Sequence, residues 1–264
     1  MKVAYVGIDL LYSALDTLGQ MQDIKILKIF TCPKLYEGED SQRVVAFAQS
    51  HGIPYQMERV GEKDLKELAE MGCELLLCAG YYYRLPMTDA FPMVNVHPAP
   101  LPSHRGAWPM PYVLLWGEAQ GGVTIHQMEA TFDTGNILLE EYFPLESTDT
   151  LADYMAKSNA ILSQMLEKLL KPPSNTSFRQ ALSAAIPQTE GRYLKNPTEE
   201  DWTITDQMTV EEADRILRAF YGYPCLYQMG NYVKEISFGR AIGGTPNEGE
   251  LPLIDGKIVF SMVK

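Results

Sequence analysis

The amino-acid sequence predicts an α/β fold whose sheet has mixed strand directions. Four compact apolar runs have the composition of strands buried on both faces of a sheet. Amphipathic helical patterns separate the first three runs, and each pattern closes near a glycine or a polar stop. This alternation is typical of βαβ units and indicates a doubly wound, Rossmann-like sheet. The four runs are KVAYVG at 2–7, IKILKIF at 24–30, CELLLCAG at 73–80 and MVNVH at 93–97.

Two later runs differ from these four. GVTIHQMEA at 122–130 and ILLEEYFPL at 137–145 are longer and partly alternating, with a turn-rich stretch between them. They predict antiparallel pairing on one side of the sheet. A long helix is then expected to begin at Thr150 and to end at Pro172-Pro173, because its apolar residues recur on one face and proline interrupts helices.

The rest of the chain predicts a small appendage. Residues 172–205 show no periodicity and contain four prolines. A helix, VEEADRILRAF, and two strands, YVKEISFG and GKIVFSMV, follow. We therefore expect a catalytic core at 1–172, a linker at 173–200 and a C-terminal α+β subdomain at 201–264.

Composition excludes several classes of protein. The 264 residues are 46% hydrophobic and 21% charged, as in ordinary globular proteins, which excludes disordered and collagen-like chains. Thirty-four acidic residues against 22 basic ones give a net charge of −12, which opposes a large phosphate-binding surface. The four cysteines form no C-x-x-C pair and are expected to be reduced and buried.

The N-terminus and the hydropathy pattern predict a cytoplasmic protein. Asp9 interrupts the first apolar run and no cleavage site follows, so the run is interpreted as a strand and not as a signal peptide. Nowhere do 18 apolar residues follow one another, and no membrane span is expected.

The usual nucleotide-binding signatures of Rossmann-like folds are missing. Gly7 is followed by Ile8, Asp9 and Leu10, so the G-x-G-x-x-G spacing fails. Neither a P-loop nor a G-x-S-x-G sequence occurs. The activity must therefore depend on other residues.

Histidines indicate where those residues lie. Three of the four, His97, His104 and His126, fall within a thirty-residue stretch. Asn95 and His97 share one face at the end of a strand, at the sheet edge where open α/β sheets bind ligands. Taken alone, this pair is also explained by a structural, hydrogen-bonded histidine.

The stretch from Asn95 to Leu138 closely resembles the folate-dependent formyltransferases. That family includes methionyl-tRNA, glycinamide ribonucleotide and amino-sugar N-formyltransferases. Weaker similarity runs from the N-terminus through the appendage, where DRILRAFYGYP resembles the start of the C-terminal domain of the transfer-RNA enzymes. The residues that match the family pattern are Asn95, His97, Leu101-Pro102, Arg105-Gly106, Gly122, Thr124, His126, Asp133, Gly135 and Ile137.

The resemblance implies that Asn95, His97 and Asp133 are the catalytic residues. Formyl transfer from 10-formyltetrahydrofolate to an amine passes through an adduct with a negatively charged oxygen. Asn95 can donate a hydrogen bond to that oxygen, and His97 can do so when protonated or can relay the proton of the amine. Asp133 can orient and charge His97, directly or through a water. This chemistry requires neither a metal nor a covalent nucleophile, and no metal site is expected.

The resemblance also implies where the folate binds. Its pterin is expected between the loop after the fourth strand and the loop carrying Asp133, held largely by backbone groups. The residues expected to bind it are Tyr83, Leu85, Met128, Ala130 and Asp133.

Departures from the family pattern lie on the acceptor side. His104 stands where a tyrosine is common, and Ala99-Pro100 stand where Ser-Leu is common. His104 and Arg105 are therefore the candidate contacts to the acceptor. His126 is expected to support the site structurally.

The leading hypothesis for the acceptor is a small amine, a nucleotide-linked amino sugar. The alternative is methionyl-tRNA. Against it, the segment from Lys195 onward contains seven Lys and Arg and eleven Asp and Glu, a net charge of −4. The basic insertion of the transfer-RNA enzymes after the second strand is also missing. Nucleic acid is thus not expected as a partner. The sequence does not decide whether the chain forms a homodimer.

Two other classes of protein agree less well with the sequence than a formyltransferase does. A non-catalytic binding module on the same fold is expected to have lost one of the three catalytic residues, and all three are present. A formyl-folate hydrolase uses the same residue types but generally carries an N-terminal regulatory domain, whereas this chain begins directly at the first strand.

Overall fold

A seven-stranded sheet forms the centre of the protein in a computed structural model that describes residues 1–33, 41–171 and 178–260. The strand order is β3-β2-β1-β4-β5-β6-β7. Strands β1 to β5 pair in parallel, whereas β6 is antiparallel to β5. The predicted mixed, Rossmann-like sheet is therefore confirmed. Its strands are β1 Lys2–Gly7, β2 Lys25–Phe30, β3 Tyr55–Gln56, β4 Leu75–Ala79, β5 Met93–His97, β6 Gln120–Gln127 and β7 Ile137–Pro144.

The predicted helices are present, together with two short ones that the sequence patterns did not predict, α4 and α6. The expected end of α5 at Pro172-Pro173 lies outside the described residues, as do Asp40 of the second predicted helix and residues 261–263 of the last predicted strand. The helices are α1 Tyr12–Gln20, α2 Gln42–Ser50, α3 Glu62–Glu70, α4 Met110–Leu115, α5 Leu151–Leu170, α6 Phe178–Ser183 and α7 Val210–Ala219.

Apolar strand residues form the core beside the sheet. Side chains of β1, β2 and β4 pack there with Leu65 and Leu68, which lie on the buried face of α3. Leu85 and Met93 complete the cluster, and Met128 packs against it. All four cysteines are free thiols and buried, as predicted, and burial raises the pKa of Cys78 to about 12.

The chain divides into two compact units whose limits differ from the predicted domains. The first unit contains 1–107, 122–143 and 157–193, and the second contains 108–121, 144–156 and 194–264. Part of the predicted linker thus belongs to the first unit, where Ile186 exchanges two backbone hydrogen bonds with Ile137. Such long-range pairing leaves no periodicity in the sequence, which is why this stretch resembles a linker.

The second unit has more strands than the two predicted. Its sheets have the orders β10-β9-β8 and β11-β13-β12. Helix α7 begins at a capping box, in which Glu212 Oε2 accepts from the backbone N–H of Thr209 at 2.9 Å. The strands are β8 Thr203–Thr205, β9 Cys225–Met229, β10 Tyr232–Ile236, β11 Gly239–Gly243, β12 Leu251–Pro252 and β13 Gly256–Phe260.

An ionic cluster, the Asp214 network, joins α7 to β11 in this unit, with Arg218 buried, Asp214 partly buried and the Arg240 side chain 38% exposed. Asp214 Oδ2 accepts from Arg218 Nε at 2.8 Å, and Asp214 Oδ1 accepts from Arg240 Nε at 2.8 Å. Arg218 also donates to the backbone oxygen of Asp149 at 3.0 Å. Both charges of the buried carboxylate–guanidinium pair therefore have partners, as burial requires.

No helix among the described residues is both long enough and apolar enough to cross a membrane.

Candidate active site

Strands β5 and β6 place three polar side chains next to one another. Asn95 and His97 lie two residues apart at the carboxyl end of β5, on one face, as the alternation predicts. The antiparallel register sets Asn95 opposite His126 of β6, and Asn95 Nδ2 lies 3.1 Å from His126 Nε2. His97 and His126 are buried.

The loop between β6 and β7 brings Asp133 to the same place. Its Oδ1 lies 3.6 Å from His97 Nδ1 and 3.5 Å from His126 Nε2. Its Oδ2 accepts a hydrogen bond from the backbone N–H of Gly106 at 2.9 Å. The structure thus assembles the three predicted catalytic residues together with His126, and we name these four residues the His97 cluster.

Backbone carbonyls determine which nitrogen of each imidazole carries a proton. His97 Nε2 lies 2.7 Å from the backbone oxygen of His104, which can only accept, so Nε2 is the donor. His126 Nδ1 lies 2.7 Å from the backbone oxygen of Gln127 and donates for the same reason. When both rings are neutral, His97 Nδ1 and His126 Nε2 are therefore acceptors, and His126 Nε2 accepts from the Asn95 amide.

The electrostatics of the site keep Asp133 ionised and His97 neutral. Burial disfavours the charge of Asp133, but the electrostatic attraction of the His97 and His126 imidazoles and the hydrogen bond from the Gly106 N–H outweigh it and hold its pKa at about 2. Burial lowers the pKa of His97 below its ordinary value, and Asp133 only partly offsets this effect. At neutral pH, His97 Nδ1 can therefore accept a proton beside a carboxylate.

The backbone of this loop is strained at Asp133, the predicted catalytic residue. Asp133 has a φ of 56°, a left-handed conformation that costs a non-glycine residue about 1–2 kcal/mol. Two residues later, a Cβ at Gly135 would lie 1.9 Å from the backbone oxygen of Gln127, so only glycine fits there. The conformation that directs the Asp133 carboxylate to the histidines is therefore maintained by the surrounding contacts.

Thr124 holds the loop that follows His97. Its hydroxyl donates to the backbone oxygen of Ala99 at 2.9 Å and lies 3.2 Å from the backbone nitrogen of Leu101, which donates to it. Glu140 accepts from the same N–H at 3.1 Å. These bonds fix loop 98–107, which supplies the His104 carbonyl and the Gly106 N–H to the His97 cluster.

The residues expected to bind the pterin lie in two adjacent loops. The guanidinium of Arg84 donates to the backbone oxygen of Ala130, which joins the loops 80–86 and 128–136. Leu85 is buried in the core and Met128 packs against it, so both side chains anchor their loops to the core. Tyr83 is half-buried under the guanidinium of Arg59, whose carbon lies 4.1 Å from the ring centre.

The two candidate acceptor contacts have partners within the chain. The His104 ring is 3% exposed, and its Nδ1 lies 2.8 Å from the Ser103 hydroxyl. Arg105 donates from Nε and Nη2 to Gln188 Oε1, at 3.1 and 2.8 Å. A ring so deeply buried offers no surface to an acceptor, so His104 touches the site through its carbonyl instead.

Sequence reasoning did not identify Gln188. It lies in the stretch predicted to be a linker, and its amide nitrogen donates to the backbone oxygens of Asp133 and Gly135 at 3.0 and 2.7 Å. No motif surrounds it that could have indicated this role. Among the described residues, no group of three or more His, Cys, Asp and Glu side chains is arranged to hold a metal ion.

Comparison with known proteins identifies the family. Residues 23–170, more than half of the chain, match the family described as formyl transferase. The chain belongs to this family of enzymes, and the family that its sequence motifs predicted is confirmed.

One relative is the methionyl-tRNA formyltransferase of Dechloromonas aromatica, 35% identical over 187 residues. The matched region is 67% of this chain and 58% of that relative, so the chain spans less than two thirds of the relative's length.

Two solved structures share the fold over nearly the whole chain. The 4-N formyltransferase of Francisella tularensis has a TM-score of 0.71 at 20% identity and covers 90% of this chain and 96% of its own. The N-formyltransferase of Helicobacter canadensis, solved with folinic acid and dTDP-3-aminofucose, has a TM-score of 0.67 at 15% identity and covers 98% of both chains. These similarities establish the fold of the core.

Proposed function

We propose that this chain transfers a formyl group from 10-formyltetrahydrofolate to a primary amine, and that the amine belongs to a nucleotide-linked sugar. The observation that carries the proposal is the His97 cluster. It combines an amide donor, a neutral imidazole with a free acceptor nitrogen and an ionised carboxylate within 3.1–3.6 Å contacts. Formyl transfer to an amine needs these three groups.

When bound, 10-formyltetrahydrofolate supplies an activated one-carbon unit at the formyl oxidation level. Asn95 donates one amide hydrogen to His126, and its second amide hydrogen is available to the oxygen on which negative charge develops. His97 Nδ1 accepts the proton that the amine loses on attack, and would return it to the folate nitrogen that departs when its bond to the formyl carbon breaks. The imidazolium that results is stabilised by Asp133 Oδ1, which lies 3.6 Å from Nδ1.

Loops 80–86 and 128–136 are the proposed site of the flat pterin ring. Leu85 is buried in the core and Met128 packs against it, so these two side chains fix the loops beside each other. Phe132 and Tyr82 are exposed at the same loops, and Arg84 lies near the Phe132 ring at 5.7 Å. Apolar walls with a few backbone donors and acceptors are typical of cofactor sites. Tyr83, Leu85, Met128, Ala130 and Asp133 remain the proposed binding residues.

Charge favours a small acceptor over RNA. The net charge is −12 overall and −4 from Lys195 onward, whereas RNA binding depends on many Lys and Arg contacts to phosphates. A nucleotide sugar presents only a diphosphate, which one or two basic groups and backbone N–H donors can hold. The fold that this chain shares over nearly its whole length with the N-formyltransferase solved with dTDP-3-aminofucose supports the same assignment.

Methionyl-tRNA is the alternative acceptor. A specific observation favours it, because the relative from Dechloromonas aromatica is a methionyl-tRNA formyltransferase at 35% identity. Against it stands the acidic segment from Lys195 onward, which corresponds in the sequence to the acceptor domain of such enzymes.

A competition assay separates the two acceptors. The purified chain is given 10-formyltetrahydrofolate with a panel of nucleotide-linked amino sugars and with initiator methionyl-tRNA, and formylated products are identified by mass. We expect a sugar to be formylated at a rate that is insensitive to salt between about 50 and 200 mM. Over the same range, an RNA complex that depends on phosphate contacts would lose orders of magnitude in affinity. Formylation of the RNA alone would establish the alternative.

Binding of the donor is tested separately by calorimetry. We expect the protein to bind a non-reactive 10-formyltetrahydrofolate analogue and to bind neither NAD nor ATP, because the phosphate-binding loops are missing from the sequence. Dinucleotide binding without folate binding would refute the proposed function.

A further inference from the structure

A strap of the chain, residues 178–193, lies across the two loops that complete the His97 cluster. On loop 128–136 and its strands, Gln127 Nε2 donates to the backbone oxygen of Leu182 at 3.1 Å, and Ile137 and Ile186 exchange two backbone hydrogen bonds at 2.8 Å. On loop 98–107, a Cβ at Gly191 would lie 2.2 Å from the backbone oxygen of Pro102, so the strap passes directly over that loop.

Gln188 is the residue of the strap that contacts both loops through its side chain. Its Nε2 donates to the backbone oxygens of Asp133 at 3.0 Å and of Gly135 at 2.7 Å. Its Oε1 accepts from Arg105 Nε at 3.1 Å and from Nη2 at 2.8 Å. Arg105 Nη2 also donates to the strap at the backbone oxygen of Thr189, at 3.0 Å.

A primary amide is required for this set of contacts. Two N–H groups on one nitrogen satisfy two carbonyls, while the oxygen of the same group accepts from a guanidinium. Glutamate has no donor at neutral pH, and leucine has neither donor nor acceptor. The carbonyls to which Gln188 donates belong to the turn in which Asp133 adopts its left-handed φ of 56°.

We propose that Gln188, fixed by Arg105, is a positioning residue for the proposed formyl transfer: it holds the Asp133 turn so that the carboxylate faces His97. The kinetic part of this inference, the loss of kcat, rests on the proposed function. The strap lies beyond residues 23–170, so it is not part of the region that matches the family. In this role Arg105 acts through Gln188.

The turn controls the position of the Asp133 carboxylate. Its Oδ2 accepts from the Gly106 N–H at 2.9 Å, and its Oδ1 is 3.6 Å from His97 Nδ1. A displacement of about 1 Å at a reacting group can lower turnover by about a hundredfold. Loosening the turn should therefore reduce kcat much more than substrate binding.

The kinetic experiment uses Gln188→Leu, Arg105→Leu, the double variant and the control Gln164→Leu, which removes an exposed glutamine from α5. We expect kcat to fall about 10- to 100-fold in Gln188→Leu, with each KM within about threefold of the wild type. Gln164→Leu should match the wild type. Because Gln188 and Arg105 act as one unit, the double variant should be no slower than the slower single variant.

Two kinetic results would overturn the proposal. One is a folded Gln188→Leu protein with a kcat within twofold of the wild type. The other is a double variant in which the two losses multiply, since independent sites give additive free energies. Circular dichroism and the midpoint of urea unfolding identify any variant that has simply failed to fold, and Gln188→Glu, which keeps the size and the Arg105 contact but loses the donor, then replaces Gln188→Leu.

A second readout does not depend on activity. Hydrogen exchange of the Gly106 amide in the ligand-free protein reports whether Asp133 Oδ2 stays in place. We expect this amide to exchange at least about tenfold faster in Gln188→Leu and unchanged in Gln164→Leu, and equal rates would refute the positioning role. If the wild type formylates no amine, the proposed function fails, while this measurement still decides the role of Gln188.

Discussion

Two ionic clusters among the described residues, the Asp214 network and the His97 cluster, are built differently. In the Asp214 network the carboxylate oxygens lie 2.8 Å from Arg218 and Arg240, the distance of charge-assisted hydrogen bonds. In the His97 cluster, Asp133 Oδ1 lies 3.6 and 3.5 Å from the histidine nitrogens, too far for a strong hydrogen bond. The first carboxylate is paired with permanent cations, whereas the second faces rings that become cations only when they gain a proton.

This difference separates a structural cluster from the proposed catalytic one. A guanidinium cannot give up its proton in a protein, so the Asp214 network has one charge state and contributes to stability alone. An imidazole changes its charge near neutral pH, so the His97 cluster has two charge states. Substitutions in the two clusters should therefore affect different measurements.

The largest effect is expected from the His97 cluster. His97→Ala and Asp133→Ala should each lower kcat by about 10²–10⁴, because they remove proton transfer or the carboxylate that stabilises the imidazolium. Asn95→Ala should fall in the same range through loss of the amide donor. Steady-state kinetics measures the loss, and near-normal turnover in a variant would remove that residue from the mechanism.

The next effect is expected from the Asp214 network. Asp214→Ala leaves Arg218 buried without its carboxylate and should lower the free energy of unfolding by about 3–5 kcal/mol, measured by urea unfolding. Glu211→Ala, which breaks an exposed ion pair with Arg215 on the same helix, is the control and should cost less than about 1 kcal/mol. A loss of kcat per folded molecule comparable to that of His97→Ala would contradict the separation of the two clusters.

The smallest effect is the pH dependence of stability due to His97. Because burial lowers its folded pKa below 6.5, the stability that neutral His97 contributes is fully present above pH 6.5 and is lost as the pH falls. Asp133, with a pKa of about 2, keeps its contribution until the pH is far lower. Between pH 7 and 5, the free energy of unfolding should therefore decline less steeply in His97→Asn than in the wild type. Parallel declines would show that His97 is not buried in its neutral form.

The sequence predicted those parts of the fold and site that local patterns specify. Strand alternation placed Asn95 and His97 on one face, and apolar runs gave the main strands of the sheet. Asp133 came from the family motif, since a turn-rich loop does not indicate which strand end it approaches. The catalytic roles of all three remain predictions.

The remaining features depend on contacts between distant segments. Gln188 lies 55 residues from Asp133 in the sequence, in a stretch without periodicity. Helix α6 has six residues and none of them is buried, so it leaves no apolar stripe. The assignment of 108–121 and 144–156 to the second unit likewise follows from tertiary contacts. Local propensity contains no information about such pairings.

The hydrogen bond from His97 Nε2 to the His104 carbonyl also restricts the route of the proton. A ring with one nitrogen committed to a carbonyl cannot take up a proton on one side and release it on the other. A proton that arrives at Nδ1 must leave from Nδ1, into the space from which it came. The folate nitrogen that departs when its bond to the formyl carbon breaks needs one proton, so Nδ1 would return to it the proton that the amine lost, and the proposed transfer would exchange no proton with solvent.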